Sequence, residues 1–220
     1  MDVIEQLGRI GVVPVVEIPD AALAVPLADA LLAAGIGCAE ITFRTAAAAD
    51  AIAAIRDAHP EMLVGAGTVL TVAQAELAQA SGARFLVSPG FGRAVVDHAL
   101  SFGMPILPGV CTPTEVQMAL DAGLTTLKFF PAEAAGGEPY LRALAGPFRE
   151  VRFVPTGGID AGNLAAYLAL PQVVACGGSW FVRREWLARG DFETVTRVAA
   201  DAVAIVHAAR VGAGAAIPSA

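Results

Sequence analysis

The stretch MPILPGVCTPTEVQMALDAGLTTLKF, residues 104–129, contains one complete unit of the predicted fold. It starts with the short apolar run MPIL and ends with another around LKF, as buried strands do. The segment 113–121 between them has the spacing of an amphipathic helix. Thr112 stands where a helix N-cap is expected, and Gly123 stands where a left-handed glycine ends a helix. The stretch therefore predicts a strand, a helix and a second, parallel strand.

This alternation recurs along the whole chain, with short apolar runs separated by alanine-rich helical segments. Strands are predicted at 11–17, 38–43, 62–65, 85–88, 104–107, 125–129, 151–154 and 173–176. Helices are predicted at 20–34, 46–58, 72–80, 92–102, 113–121, 139–144, 161–170 and 191–209, with a short N-terminal helix before them. Eight such units predict an α/β protein, a (β/α)8 TIM barrel. An open, doubly wound sheet is the competing interpretation, but Gly65 and Gly67 lack the third glycine of a dinucleotide-binding loop.

The composition limits the partners that we expect. The chain has 220 residues, of which 56% are hydrophobic and 16% charged, and its net charge is −7. An acidic chain lacks the positive footprint of a nucleic-acid binder. The excess of apolar residues fits a parallel sheet that is covered on both faces. We therefore expect small-molecule partners, no nucleic acid and no membrane.

The ends of the chain and its cysteines indicate a cytoplasmic protein. We expect residues 1–210 to form one barrel domain and residues 211–220 to form a frayed tail. The N-terminal segment MDVIEQL has acidic residues where a signal peptide has basic ones. The longest uncharged run, 161–182, is interrupted by Asn163, Pro171 and a glycine pair, so no membrane span is expected. Three cysteines without a C-x-x-C spacing indicate reduced thiols that act as small buried apolar residues.

In a barrel of this kind, chemistry takes place at the carboxyl ends of the strands. We therefore expect the site to be formed by the residues at those ends. They are Glu40, Arg44, Thr68, Pro89, Lys128, Phe130, Thr156, Gly157, Gly158, Gly177, Gly178 and Ser179.

Lys128 is the only lysine, beside thirteen arginines. A coding bias could replace surface lysines by arginine, but it would spare a lysine where only an amine serves. Burial in a barrel strand disfavours the charged ammonium, and a neutral amine can attack a carbonyl to form a Schiff base. The alternative is a structural ion pair with a carboxylate such as Glu40.

Glu40 interrupts the apolar strand CAEITF, where packing alone would not select a carboxylate. It could act as a general base beside an iminium. The guanidinium group of Arg44 could donate two hydrogen bonds to a substrate carboxylate, and the Thr68 hydroxyl could assist. The alternative role for Arg44 is that of a surface arginine that closes its loop by a salt bridge.

Two glycine pairs, Gly157–Gly158 and Gly177–Gly178, follow the last two strands, and Ser179 adds a hydroxyl. Their backbone N–H groups could approach an anion closely, as phosphate sites after strands seven and eight of barrels do. The three histidines have no acid or cysteine partners at ligand spacing. The sequence predicts a phosphate site, no metal and no cofactor.

These residues resemble the bacterial 2-keto-3-deoxy-6-phosphogluconate (KDPG) aldolases, many of which also cleave 4-hydroxy-2-oxoglutarate (KHG). The matching stretches, in order between residues 12 and 180, are VVPVV at Val12, EITFRT at Glu40, GAGTVL at Gly65, SPG at Ser88, KFFPAE at Lys128, GPF at Gly146, PTGGI at Pro155 and GGSW at Gly177. A homologous aldolase of the galactonate-derived epimer is less similar at KFFP and GGSW.

The resemblance implies a homotrimeric class I aldolase, a carbon–carbon lyase without a cofactor. It would make Lys128 the Schiff-base lysine and Glu40 the acid/base residue. It would place Arg44 and Thr68 at the pyruvyl carboxylate, Thr156 at the aldehyde, and Gly157, Gly158 and Ser179 at the phosphate. Several relatives carry a basic residue where this chain has Glu17. We therefore expect no basic side chain from that loop to bind the substrate.

From the residues alone, two other functions stay open. One is a barrel isomerase or metal-assisted aldolase that uses Glu40 as its base. The other is a sugar-phosphate-binding protein without imine chemistry.

Overall fold

The computed structural model describes residues 2–212. The strands are β1 Val12–Val16, β2 Cys38–Thr42, β3 Leu63–Gly67, β4 Leu86–Val87, β5 Ile106–Leu107, β6 Gly109–Val110, β7 Thr126–Phe129, β8 Arg152–Pro155 and β9 Cys176–Gly178. The helices are α1 Val3–Ile10, α2 Ala24–Ala33, α3 Ala48–Ala58, α4 Val72–Ala80, α5 Arg93–Ser101, α6 Pro113–Asp121, α7 Gly137–Ala145, α8 Leu164–Leu168, α9 Arg184–Ala188 and α10 Phe192–Gly212. A 3₁₀ turn, Ala21–Leu23, precedes α2.

The strands form a closed, all-parallel barrel. One sheet has the order β5-β4-β3-β2-β1-β9, and a second has the order β6-β7-β8. β5 and β6 are two parts of one extended stretch, and parallel bridges from Phe153 to Val173 and from Thr156 to Gly177 join β8 to β9. The barrel therefore has eight strand positions, which confirms the predicted fold class.

The fifth predicted strand is interrupted at Pro108. Proline has no backbone N–H to donate to a neighbouring strand. Its carbonyl still accepts a hydrogen bond from the Lys128 N–H, at 3.0 Å. The prediction placed this strand at 104–107, whereas its pairing continues to Val110.

The core lies inside the barrel and between the barrel and its helices. Every residue of β2 and β3 is buried, as expected for parallel strands covered on both faces. Small side chains such as Ala75 and Ala78 on α4 let the helices approach the sheet closely. The predicted N-caps Thr71 and Thr112 accept hydrogen bonds from the first turns of α4 and α6. The predicted C-terminal glycines 35, 82, 103 and 123 all have positive φ.

The structure corrects four segments near the end of the chain. The helix predicted at 161–170 is reduced to α8, and the last strand is β9 rather than 173–176, with only Val173 paired earlier. Helix α9 was not predicted. Helix α10 includes Val211 and Gly212, whereas the sequence predicts that the tail begins at residue 211. Residues 213–220 lie outside the described residues.

Within residues 2–212, no helix has both the length and the apolar character needed to cross a membrane.

Candidate active site

Lys128 and Glu40 meet in the middle of the barrel. Lys128 lies on β7 and Glu40 on β2, which are opposite each other in the ring of strands. Lys128 Nζ donates a hydrogen bond to Glu40 Oε1 at 3.3 Å, and the two side chains are 7% and 4% exposed. This geometry is compatible with both roles predicted for Lys128, a Schiff-base nucleophile and a structural ion pair. A carboxylate that pairs with an ammonium group can also accept its proton.

The neighbouring strand leaves room for the Glu40 side chain through a glycine. A Cβ atom at Gly67 would lie 2.2 Å from Glu40 Oε1 and 2.6 Å from its Cγ. Those distances are far shorter than a van der Waals contact. The second glycine of the GAG stretch is therefore needed so that the carboxylate can reach Lys128, a role that the sequence did not reveal.

A cavity of about 500 Å³ opens at the carboxyl ends of the strands. Its lining includes eight predicted site residues: Arg44, Phe130, Thr156, Gly157, Gly158, Gly177, Gly178 and Ser179. Thr42 also lines it, two positions beyond Glu40 on the same face of β2. Phe130 likewise follows Lys128 by two residues, and its ring centroid lies 5.2 Å from Lys128 Nζ. Lys128 and Glu40 are not part of this lining, but Thr42 and Phe130 connect the buried pair to the cavity wall.

Thr68 and Pro89, among the residues that the structure describes, lie outside the lining of this cavity. Thr68 follows β3 with φ +56°, which is rare for a β-branched residue. Residues held in such conformations are concentrated at functional sites. Pro89 follows β4 closely, and its carbonyl would lie 2.1 Å from a Cβ at Gly109. Both residues are at strand ends as predicted, but the structure does not bring them to the cavity wall.

The Gly157–Gly158 loop is held by polar contacts, and the Gly177–Gly178 loop packs closely against Thr156. The Glu133 N–H donates to the Gly157 carbonyl at 3.0 Å, and the Glu133 side chain accepts from the Tyr167 hydroxyl at 2.5 Å. On the other side, a Cβ at Gly177 would lie 2.4 Å from Thr156 Oγ1. Glu133 closes the KFFPAE stretch, so the sequence contained this residue but gave no sign of its supporting role.

Arg44 lies at the cavity mouth and faces Glu17. Its Nη1 atom is 3.9 Å from Glu17 Oε2, and a second arginine, Arg184 of α9, lies 2.9 Å from Glu17 Oε1. The salt-bridge alternative that we considered for Arg44 is thus present, at a half-exposed position that still lines the cavity. Sequence analysis missed Arg184, although the pair RR follows the predicted phosphate loop by only a few residues.

Two of the three cysteines are poor candidates for a competing nucleophile. Cys38 and Cys176 are fully buried at the amino ends of β2 and β9. Burial raises the pKa of both thiols far above the usual range for cysteine. Because the thiolate is the reactive form, these side chains act as small apolar residues, as predicted.

The family model for KDPG and KHG aldolase matches residues 3–198. A 2-dehydro-3-deoxy-phosphogluconate aldolase of Treponema pallidum is 53% identical over 204 residues, covering 93% of this chain and 97% of that protein. The KHG/KDPG aldolase of Escherichia coli K12 is 46% identical over 192 residues, covering 87% and 90%. The chain belongs to the KDPG and KHG aldolase family.

Solved structures of this aldolase family share the fold. A KDPG aldolase of Legionella pneumophila aligns with a TM-score of 0.88 and 39% identity, covering 91% of this chain and 97% of that one. In that structure, pyruvate is captured as a covalent carbinolamine intermediate. The predicted family and enzyme class, an aldolase and therefore a lyase, are confirmed.

Proposed function

We propose that the chain is a class I aldolase that reversibly cleaves KDPG to pyruvate and glyceraldehyde 3-phosphate. The observation that carries the proposal is the buried contact of 3.3 Å between Lys128, the only lysine, and Glu40. Only an amine forms an imine with a keto acid, and a neighbouring carboxylate can move the protons that the reaction requires. The carbinolamine in the Legionella relative is the first product of such an attack.

The reaction begins when the Lys128 amine attacks the keto carbon of the substrate to form a carbinolamine. Glu40 moves a proton from nitrogen to the hydroxyl, which leaves as water, and an iminium remains. The bond between carbons 3 and 4 then breaks as the hydroxyl on carbon 4 loses its proton. The bond electrons move to the iminium, which becomes an enamine, and the aldehyde leaves. Protonation of the enamine methylene and addition of water release pyruvate and restore the amine.

The residues around this centre would hold the two ends of the substrate. Arg44 would bind the pyruvyl carboxylate with the Thr68 hydroxyl. Thr156, Phe130 and Pro89 would contact the rest of the substrate. The N–H groups of the two glycine loops and the Ser179 hydroxyl would bind the phosphate. Support comes from the cavity, which most of these residues line together.

A second substrate is KHG, which gives pyruvate and glyoxylate by the same steps. The Escherichia coli relative is named for both substrates. KHG carries a carboxylate where KDPG carries its phosphorylated tail, and arginines line the cavity mouth.

We place the enzyme in the cytoplasm, supported by its three unpaired thiols.

Replacing the proposed nucleophile tests this function directly. Lys128→Arg keeps the charge but removes the amine, so we expect pyruvate release from KDPG to fall by about a thousandfold or more. A coupled lactate dehydrogenase assay measures the pyruvate. Arg189→Lys, which adds an amine on the exposed surface, serves as the control and should keep full activity. If Lys128→Arg releases pyruvate at the wild-type rate, the reaction does not use an imine and the isomerase or metal-assisted alternative gains support.

A further inference from the structure

The cavity mouth carries a charge opposite to that of the protein. Among the described residues, its charged lining consists of Glu17, Arg44, Arg183, Arg184 and Glu185. Three arginines and two glutamates give this surface an excess of one positive charge, in a chain whose net charge is −7. The mouth is therefore a local site of attraction for anions on an acidic protein.

Arg184 lies next to the predicted phosphate loops. It begins α9, five residues after Ser179, and lines the same cavity as both glycine pairs. Its Nη1 atom donates to Glu17 Oε1 at 2.9 Å. The contact joins the segment after β1 to the start of α9, 167 residues apart in the chain.

Arg183, although it also lines the cavity, is engaged elsewhere. Its Nε donates to the Trp180 carbonyl at 3.3 Å, and its guanidinium lies 5.3 Å from the centre of the Trp186 ring. These contacts keep its charge beside the tryptophans. Arg184 is therefore the member of the pair whose guanidinium faces the carboxylate across the mouth.

In the Glu17–Arg184 ion pair, another anion can take the place of the Glu17 carboxylate beside Arg184. The two side chains are 33% and 63% exposed, and exposed ion pairs contribute little stability. Glu17 would repel a phosphate that enters the cavity while Arg184 would attract it. A phosphate dianion offers Arg184 a stronger, two-pronged partner than a single carboxylate does.

We propose that Arg184 is a specificity-determining residue that binds the terminal phosphate of the substrate and leaves Glu17 when it does so. The inference rests on the proposed function, since it assigns the distal end of the same substrate. Arg184 supplies the positive charge that the backbone N–H groups of the glycine loops lack. Arg184 would consequently increase the preference for phosphorylated over unphosphorylated keto acids.

The test compares kcat/KM for KDPG with kcat/KM for the unphosphorylated 2-keto-3-deoxygluconate. In Arg184→Gln, we expect the ratio of the two values to fall about tenfold to a hundredfold, the typical effect of losing a hydrogen bond to a charged group. Arg189→Gln removes the same charge at the end of α9, outside the cavity lining. It should leave the ratio at the wild-type value. A ratio that falls no further in Arg184→Gln than in Arg189→Gln overturns the proposal.

A calorimetric titration with inorganic phosphate separates this inference from the proposed function. If the wild-type protein cleaves neither keto acid, the proposed function fails and the titration decides the role of Arg184. An affinity for phosphate at least about tenfold weaker in Arg184→Gln than in wild type and Arg189→Gln would support the anion site. Equal affinities in all three proteins would contradict it.

Discussion

Thirteen arginines and one lysine supply the basic side chains of this protein. On an exposed surface, the two residue types provide the same charge, so a bias toward arginine has little effect there. Inside the barrel they differ, because arginine cannot become a neutral nucleophile. Lys128 is 7% exposed, and its amine contacts the buried carboxylate of Glu40. The position of the single lysine, more than the count, is what points to imine chemistry.

Gly67 provides a test of how closely the pair is positioned. Gly67→Ala would place a methyl group where the Glu40 carboxylate now lies. We expect kcat to fall by about 10²-fold or more as Glu40 moves away from Lys128, and the free energy of unfolding to fall by about 1–3 kcal/mol. Steady-state kinetics and urea denaturation measure the two effects.

The matched control is Gly37→Ala, just before β2, the strand that carries Glu40. A Cβ atom at Gly37 would meet nothing within 4 Å, and its φ is not in the left-handed region. This variant should keep wild-type kcat. Equal kcat values in the two variants would show that Gly67 does not determine the position of Glu40.

At the scale of the elements, α6 begins with a capping box that depends on pH. Burial tends to raise the pKa of Glu115, but hydrogen bonds from the Cys111 N–H and from the hydroxyl and N–H of Thr112 lower it overall. A carboxyl with a lowered pKa in the folded state stabilises the protein above its ordinary pKa of 4.5, and this stabilisation is lost as the pH falls through the folded-state value.

We therefore expect Glu115→Gln to lower the free energy of unfolding at pH 7, and the difference from wild type to shrink as the pH falls below 4.5. Thr71→Ala removes the cap of α4, which involves no titrating group of its own. It should cost about 1 kcal/mol at both pH values. Denaturation curves at pH 7 and pH 4 measure the effects, and a Glu115→Gln difference that grows in acid would contradict this account.

The elements also show what the sequence could and could not predict. Hydrophobic period and capping residues located six of the eight strand positions closely, because each of these depends on local patterns such as Thr112 before α6. The break at Pro108 and helix α9 were not predicted, because the formation of such short features depends on their tertiary contacts.

At the site, the motifs indicated Lys128 and Glu40. The pairing of Arg184 with Glu17 joins residues 167 positions apart, and no local pattern encodes such a contact.

At the scale of the whole molecule, we propose the homotrimer that the resemblance implied. Five large apolar side chains are at least 41% exposed on the described surface: Leu70, Leu77, Leu100, Met118 and Val211. The first four lie on or just before the consecutive helices α4, α5 and α6, where a second copy of the chain could cover them.

Light scattering should give three times the chain mass of 22.4 kDa for the wild type. Leu77→Glu should shift the mass toward that of one chain, because a charge would be buried in the contact. Gln79→Glu adds the same charge on another side of α4 and should leave the mass unchanged. A trimeric Leu77→Glu protein would place the contact elsewhere, and a monomeric wild type would contradict the trimer.

The central claim is that pyruvate forms an imine with Lys128, and borohydride trapping tests it most directly. Reducing the imine converts it to a stable secondary amine, and Lys128 carries the only side-chain amine of the sequence on which this can form. Mass spectrometry of wild-type protein treated with pyruvate and borohydride should show one pyruvyl adduct on the peptide that contains Lys128. Folded Lys128→Arg protein, treated in the same way, should show no adduct on the corresponding peptide. Folded wild-type protein that stays unmodified at saturating pyruvate would contradict the account.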